Sequence, residues 1–270
     1  MLTPTAFIDA YDGIGQKKAG FSSAKILLLG ILAGFLIGMG GVVTNTAGFA
    51  LTNTSAAKVV SGLLFPFGLA MVILTGAELF TGNCLLIMPK TAGKISGSGM
   101  AKVLIVSYTG NLIGSLLLAA ACVYSGQVGL GGGALAVYTI KVAAGKCALS
   151  AGKAVLLGIL CNILVCIAVA ISLSADNTVG RFVGAYIPIA FFVIAGFEHC
   201  VANMYYIPAG LMAAGIPAYA EAAAAAGIDM SALTVGACIM HNLLPVTIGN
   251  IIGGMGFALL FAGCHRKKQA

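Results

Sequence analysis

The sequence predicts an all-α integral membrane protein of six transmembrane helices, built as an inverted 3+3 repeat whose second and fifth helices are broken. Three observations predict this. Charged residues make up only 8% of the chain and apolar ones 60%. Uncharged runs recur that can cross a bilayer, which takes roughly 20 apolar residues per helix. Short signatures of the first three runs return in the same order in the last three.

Residues 1–24 read as a cytoplasmic amphipathic segment. Thr3 can cap a helix and Pro4 suits its first turn, while Phe7, Ile8, Tyr11 and Ile14 make one apolar face that could lie along the membrane surface. Asp9 and Asp12, in place of a basic stretch before a short apolar core, argue against a cleavable signal peptide. The pore domain, 25–263, holds spans at 26–49, 59–89, 103–124, 154–173, 182–211 and 233–262, and 264–270 form a basic cytoplasmic tail.

The second and fifth runs exceed one simple span and are punctuated, the second by Pro66, Glu78, Gly82 and Pro89, the fifth by Pro188, Glu198 and Pro208. Both read as broken helices. Between the fifth and sixth spans, 222–226 form a short helix-prone run of alanines. Tyr205 and Tyr206, near a span end, read as interfacial anchors.

The halves match three times in register. Gly30-Ile31-Leu32 matches Gly158-Ile159-Leu160. Gly76-Ala77-Glu78 with Asn83 and Pro89 matches Gly196-Phe197-Glu198 with Asn203 and Pro208. Gly110-Asn111-Leu112-Ile113-Gly114 matches Gly249-Asn250-Ile251-Ile252-Gly253. An odd number of spans per half makes the second half enter from the opposite side. Paired interruptions then fall near the bilayer midplane, the best sequence pointer to a solute pathway. Glycines spaced by four let the helices approach closely.

Basic residues set the orientation. With the N-terminus cytoplasmic, the inner side receives Lys17, Lys18, Lys25, Lys90, Lys94, Lys102, Arg181, Arg266, Lys267 and Lys268. The outer side receives Lys58, Lys141, Lys146 and Lys153. Both termini are therefore expected in the cytoplasm. The net charge of +7 is mostly topological, and with no basic cluster interleaved with aromatics it does not mark a nucleic-acid partner. The eight cysteines show no C-x-x-C and mostly fall inside spans, so no disulfide is expected.

Glu198 and His199 stand side by side in an uncharged stretch. An ionisable pair there is a functional site by default. No H-E-x-x-H, Ser/His pair at protease spacing or Gly-rich phosphate loop accompanies them, so an enzyme, a metal site and a cofactor are not expected.

Leu79-Phe80-Thr81-Gly82 after Gly76-Ala77-Glu78, Gly196-Phe197-Glu198-His199 with Ala202-Asn203-Met204, and the run from Asn242 to Gly254 resemble the formate/nitrite transporter family. The resemblance covers the chain from first span to last. It implies an aquaporin-like protomer in a homopentamer of the plasma membrane, conducting small monovalent anions: formate or nitrite, with hydrosulfide close behind. It makes His199 the central histidine and Glu198 its backing glutamate. Leu69 and Leu79 become an apolar inner gate with Phe65 nearby, and Thr81 a hydroxyl facing the central cavity. Phe192 falls at the outer constriction, Asn162 and Asn250 flank the histidine, and Lys146 is a basic residue of the outer loop. Asn203 lies within the matching motif. Glu78, lacking a neighbouring histidine, reads as a strut on the backbone amides of its break.

An anion entering an apolar ring loses hydration worth tens of kcal/mol, whereas a neutral acid crosses far more easily. Histidine titrates near neutral pH and can exchange a proton with a weak acid. The expected mechanism is therefore attraction of the anion, neutralisation by partial or full proton transfer at His199, and passage as the acid. Glu198 is expected to pair with Lys146 or to orient the region. A neutral-solute channel of aquaporin type is the alternative, against which stand the missing Asn-Pro-Ala pair and the Glu in both breaks. A proton-coupled transporter with alternating access would use similar broken helices.

Overall fold

The computed structural model describes residues 1–266. Lys267 and Lys268 of the expected basic tail lie outside the described residues. Cys264 and His265 belong to the last helix.

Helix α1 (Pro4–Ala19) starts as its sequence dictates, with Thr3 Oγ1 accepting from the Ala6 amide at 3.3 Å. Its apolar face does not lie on lipid. Phe7, Ile8 and Tyr11 are buried against Leu85, Leu86, Met88 and Val103 of the bundle. Two contacts close it there: Asp12 accepts two hydrogen bonds from Arg266, at 2.8 and 3.1 Å, and Gly15 packs on the Pro89 ring.

The first span is α2 (Ser23–Gly48). The second is α3 (Thr54–Leu64) and α4 (Pro66–Thr75), joined at Pro66 and read as one apolar crossing, Thr54–Thr75. After the first break come α5 (Phe80–Asn83), a 3₁₀ turn and α6 (Ile87–Thr91). Next are α7 (Gly97–Tyr124), α8 (Ala134–Cys147), α9 (Ala151–Ser174) and α10 (Thr178–Ala195). Beyond the second break follow α11 (Cys200–Ala214), α12 (Pro217–Ala225), α13 (Val235–Ala237), a π-helical turn Cys238–Leu243, and α14 (Leu244–His265). Among the described residues six helical crossings are long and apolar enough to span a membrane. Their outer faces expose Leu28, Leu117, Leu156 and Phe191, as a lipid-facing surface requires.

The repeat is physical. Helix α2 packs on α7, and α14 on α9. A Cβ at Gly30 would stand 3.1 Å from the Ser107 carbonyl, and one at the matching Gly158 2.8 Å from that of Val246. The matched glycines therefore let backbones touch in both halves. Thr5 Oγ1 donates to the His265 carbonyl at 3.0 Å, so both ends of the chain share one face, called the inner face below. Helix α8 lies at the other, outer face.

Two sequence expectations fail here. Cys147 and Cys238 form a disulfide, with Cα atoms 4.7 Å apart. They are 91 residues apart, so only the tertiary fold brings α8 against the π turn. Tyr205 is buried rather than interfacial, packed on Gly38 and Gly41, and the Tyr206 hydroxyl pairs with Thr44 at 2.7 Å.

Candidate functional site

Both breaks are made by the same parts. Gly76 ends α4 at φ 69° and Gly196 ends α10 at φ 76°, left-handed conformations that glycine adopts without a Cβ clash. The next three residues are non-helical, with Leu79 and His199 extended at the start of the following half-helix. One asparagine from the opposite helix of each half ties its break. Asn111 donates to the Gly30 and Glu78 carbonyls at 2.8 and 2.9 Å and accepts from the Phe80 amide at 2.9 Å. Asn250 donates to the Gly158 and Glu198 carbonyls at 2.8 and 3.0 Å and accepts from the Cys200 amide at 2.9 Å. An interrupted helix leaves backbone groups unpaired in hydrocarbon, and these two amides pair them.

Asn250 is thus a strut rather than a pore-lining group. Asn162 is another, donating to the Asn250 carbonyl at 2.6 Å and to that of Thr81 at 3.3 Å. Asn111 has the same role in the first half. The repeat alignment already contained it, opposite Asn250.

Each break also carries a lysine–glutamate–asparagine cluster. On the outer side Lys146 Nζ donates to both Glu198 oxygens, at 2.9 and 3.1 Å. Asn203 and Asn242 donate to Glu198 Oε2 at 2.7 and 3.2 Å. On the inner side Lys18 Nζ, from α1, donates to Glu78 Oε2 at 2.9 Å and to Asn83 Oδ1 at 2.8 Å, and Asn83 donates to Glu78 at 3.0 Å. Glu78 is therefore a partner of a cation rather than a strut on backbone amides, because α1 folds beneath the bundle and delivers Lys18. The asparagines differ: Asn83 Oδ1 accepts from Lys18, whereas among the described residues Asn203 Oδ1 is the buried side-chain polar atom left without a partner. Lys58 Nζ stands beside Gly196, adding a second cation at the outer mouth.

Between the clusters lie buried apolar side chains and the Thr81–His199 pair. Leu69 and Leu79 are buried and line a cavity of about 140 Å3 with Tyr11, Lys18, Glu78 and Asn83. Phe65 does not join them. Its ring meets Phe192 edge-on at 5.8 Å, and Phe192 stacks on His199 at 5.9 Å. Phe65 lies a helical turn from Leu69 and on the outer side of it, with Phe192 and His199 rather than with Leu79.

His199 sits where the repeat puts Leu79 in the other half. It caps α11, its Nδ1 accepting from the Ala202 amide at 3.1 Å, and its Nε2 lies 2.9 Å from Thr81 Oγ1. An amide can only donate, so Nδ1 carries the lone pair and the neutral ring holds its proton on Nε2. That N–H points across the pathway at Thr81, contributed by the first break. Side chains of the two breaks meet in this contact.

The formate/nitrite transporter family model matches residues 5–263. The chain belongs to the formate/nitrite transporter family. The formate channel FocA of Escherichia coli K12 is 36% identical over 258 residues, covering 94% of this chain and 90% of that protein. A formate-nitrite transporter of Entamoeba histolytica is 34% identical over 245 residues, 89% of this chain and 64% of that one. A pentameric formate channel with formate bound superposes with a TM-score of 0.82 at 34% identity, covering 90% of this chain and 96% of that chain. As a member of this family the chain is a multi-pass membrane transport protein of small anions, and its relatives are channels and transporters rather than enzymes.

Proposed function

We propose that this chain is a plasma-membrane channel that assembles as a homopentamer, each protomer passing weak-acid monovalent anions, formate first, through its own pore. The observation that carries the reading is the Thr81–His199 contact, set between two apolar constrictions and flanked on each side by a lysine–glutamate–asparagine cluster. Formate comes first because two of the named relatives are formate channels and the third is a formate-nitrite transporter; nitrite and hydrosulfide share its charge and weak acidity.

The lysines draw the anion into either mouth, where Glu78 and Glu198 hold their ammonium groups in place. Leu69, Leu79, Phe65 and Phe192 offer no replacement for water, so crossing favours the neutral acid over the ion. His199 presents Nε2–H to whatever enters, a hydrogen-bond donor to a bound anion. Proton transfer requires the cationic ring, and Nδ1 can take a proton only by giving up the Ala202 amide. Hydrogen bonding by the neutral ring is therefore the favoured form of the expected relay, the anion taking its proton from a hydronium ion of the vestibule, which leaves as water.

Both termini face the cytoplasm in this reading. The basic residues favour it, and so does the disulfide at the opposite face, since disulfides persist in oxidising compartments.

The test is uptake of formate, nitrite and hydrosulfide into proteoliposomes across external pH, for the native chain, His199→Ala and Thr81→Val. Flux that rises as pH falls and collapses in His199→Ala supports the reading. Equal flux of every anion, indifferent to both substitutions, would overturn it, and strict proton stoichiometry would make the protein a coupled transporter.

A further inference from the structure

The outer mouth carries a cross-link that the anion pathway does not itself touch. Cys147 ends α8, Cys238 opens the π turn before α14, and both side chains are buried. Each is next to a group that serves Glu198. Lys146 directly precedes Cys147 and places both of its bonds on that carboxylate. Asn242, about one turn beyond Cys238, donates to the Lys146 carbonyl at 3.0 Å and to Glu198 Oε2 at 3.2 Å, and accepts from Asn203 at 2.6 Å.

Helix α8 packs one face on α11, where Ala143 meets Gly210, and it is entered through Gly131, Gly132 and Gly133, all left-handed at φ 64°, 66° and 93°, a backbone that glycine adopts freely; the cross-link is the covalent tie at its far end. The inner lysine is held otherwise. Lys18 rides on α1, which Asp12–Arg266 and Thr5–His265 fasten by non-covalent bonds.

We propose that Cys147 and Cys238 are positioning residues for anion capture: joined, they hold the Lys146 ammonium over the outer break; separated, they let α8 swing and weaken capture from outside. The inference rests on the reading of Lys146 as the outer anion-attracting group. The cross-link forms by exchange with a disulfide compound or a thiol–disulfide exchange protein at the outer face. Two S–H bonds break and one S–S bond forms, while both electrons and both protons pass to the exchanging disulfide, which leaves as two thiols.

The experiment uses the full chain in proteoliposomes, with labelled formate influx measured against concentration. Compared are the native protein, Cys147→Ala/Cys238→Ala, Lys146→Met, and the three substitutions together. The native protein is also reduced with a phosphine before reconstitution and then reoxidised with oxidised glutathione. The cysteine pair variant should raise the KM about threefold or more, with the maximal rate nearly unchanged, as for a lost positioning contact. The triple variant should be no worse than Lys146→Met, and reduction should reproduce the KM rise reversibly. An unchanged KM, losses that multiply in the triple variant, or both thiols alkylated in unreduced native protein would overturn the inference. If the cysteine variant does not insert, reduction and reoxidation of the native protein decides alone. Native protein that carries no formate overturns the functional reading itself; native flux indifferent to the cysteine pair overturns this inference alone.

Discussion

Lys146→Met removes one member of a buried ion pair and leaves the other. At 2.9 Å and an effective dielectric constant of about 20, the gross attraction is 332/(20 × 2.9), about 6 kcal/mol, most of it offset by the desolvation of both ions. Removing a single partner is the costly change, about 3–5 kcal/mol, because a carboxylate stays buried without its cation. Asn203 and Asn242 still donate to Glu198, so the lower end applies, about 3 kcal/mol. For a chain of this size that is a fall in Tm of about 6–12 °C. Glu198→Gln removes the orphaned charge, so Lys146→Met/Glu198→Gln should regain most of the loss. Formate capture from the outer side should stay weak in both variants, because the ammonium is absent in each. The assay is thermal unfolding in detergent beside formate influx in proteoliposomes. A single variant that melts with the native protein, or a double variant no more stable than the single one, would refute the assignment of Glu198 as a carboxylate held by Lys146.

Lys18→Met should raise the KM for formate leaving from the inner side and spare entry from the outer side, measured as efflux and influx in oriented vesicles. Asn250→Ala and Asn111→Ala each leave two buried groups of a break, one carbonyl and one amide, without their partner and should each cost about 2–5 kcal/mol, read by thermal unfolding. Similar losses in the two would reflect the repeat, and a neutral result in either would contradict the strut role. Gly196→Ala forces a Cβ into a left-handed turn beside Lys58 Nζ and should cost about 1–3 kcal/mol, checked in the same way. Asp12 bonding raises the Arg266 guanidinium above its ordinary range. A raised cation stabilises fully below its unfolded pKa and is lost only above the folded one, so this clamp on α1 should persist through alkaline pH. Hydrogen exchange of α1 should stay protected there in the native chain and rise in Arg266→Ala.

The membrane class, the six crossings, both breaks and the central pair were legible along the chain. Hydrocarbon imposes length and apolarity on each span, and an ionisable residue inside one is conspicuous. The inverted repeat was legible for a related reason: Gly110, Asn111, Gly249 and Asn250 meet backbone, where few other residues fit. From the cost of a lone carboxylate the sequence also offered Lys146 as a partner for Glu198, beside a role in orienting the region, and the structure shows the pair. What required the tertiary structure was every partnership between distant segments. Lys18 looked like a surface lysine until α1 folded beneath the bundle and carried it to Glu78. Phe65 needed helix rotation to meet Phe192, and Cys147 needed α8 to rest on a π turn whose place no local pattern records. The His199 tautomer also waited for the Ala202 amide. Local chemistry decides which residues can live in a membrane; which of them then meet depends on how helices pack, and that is a property of the whole chain.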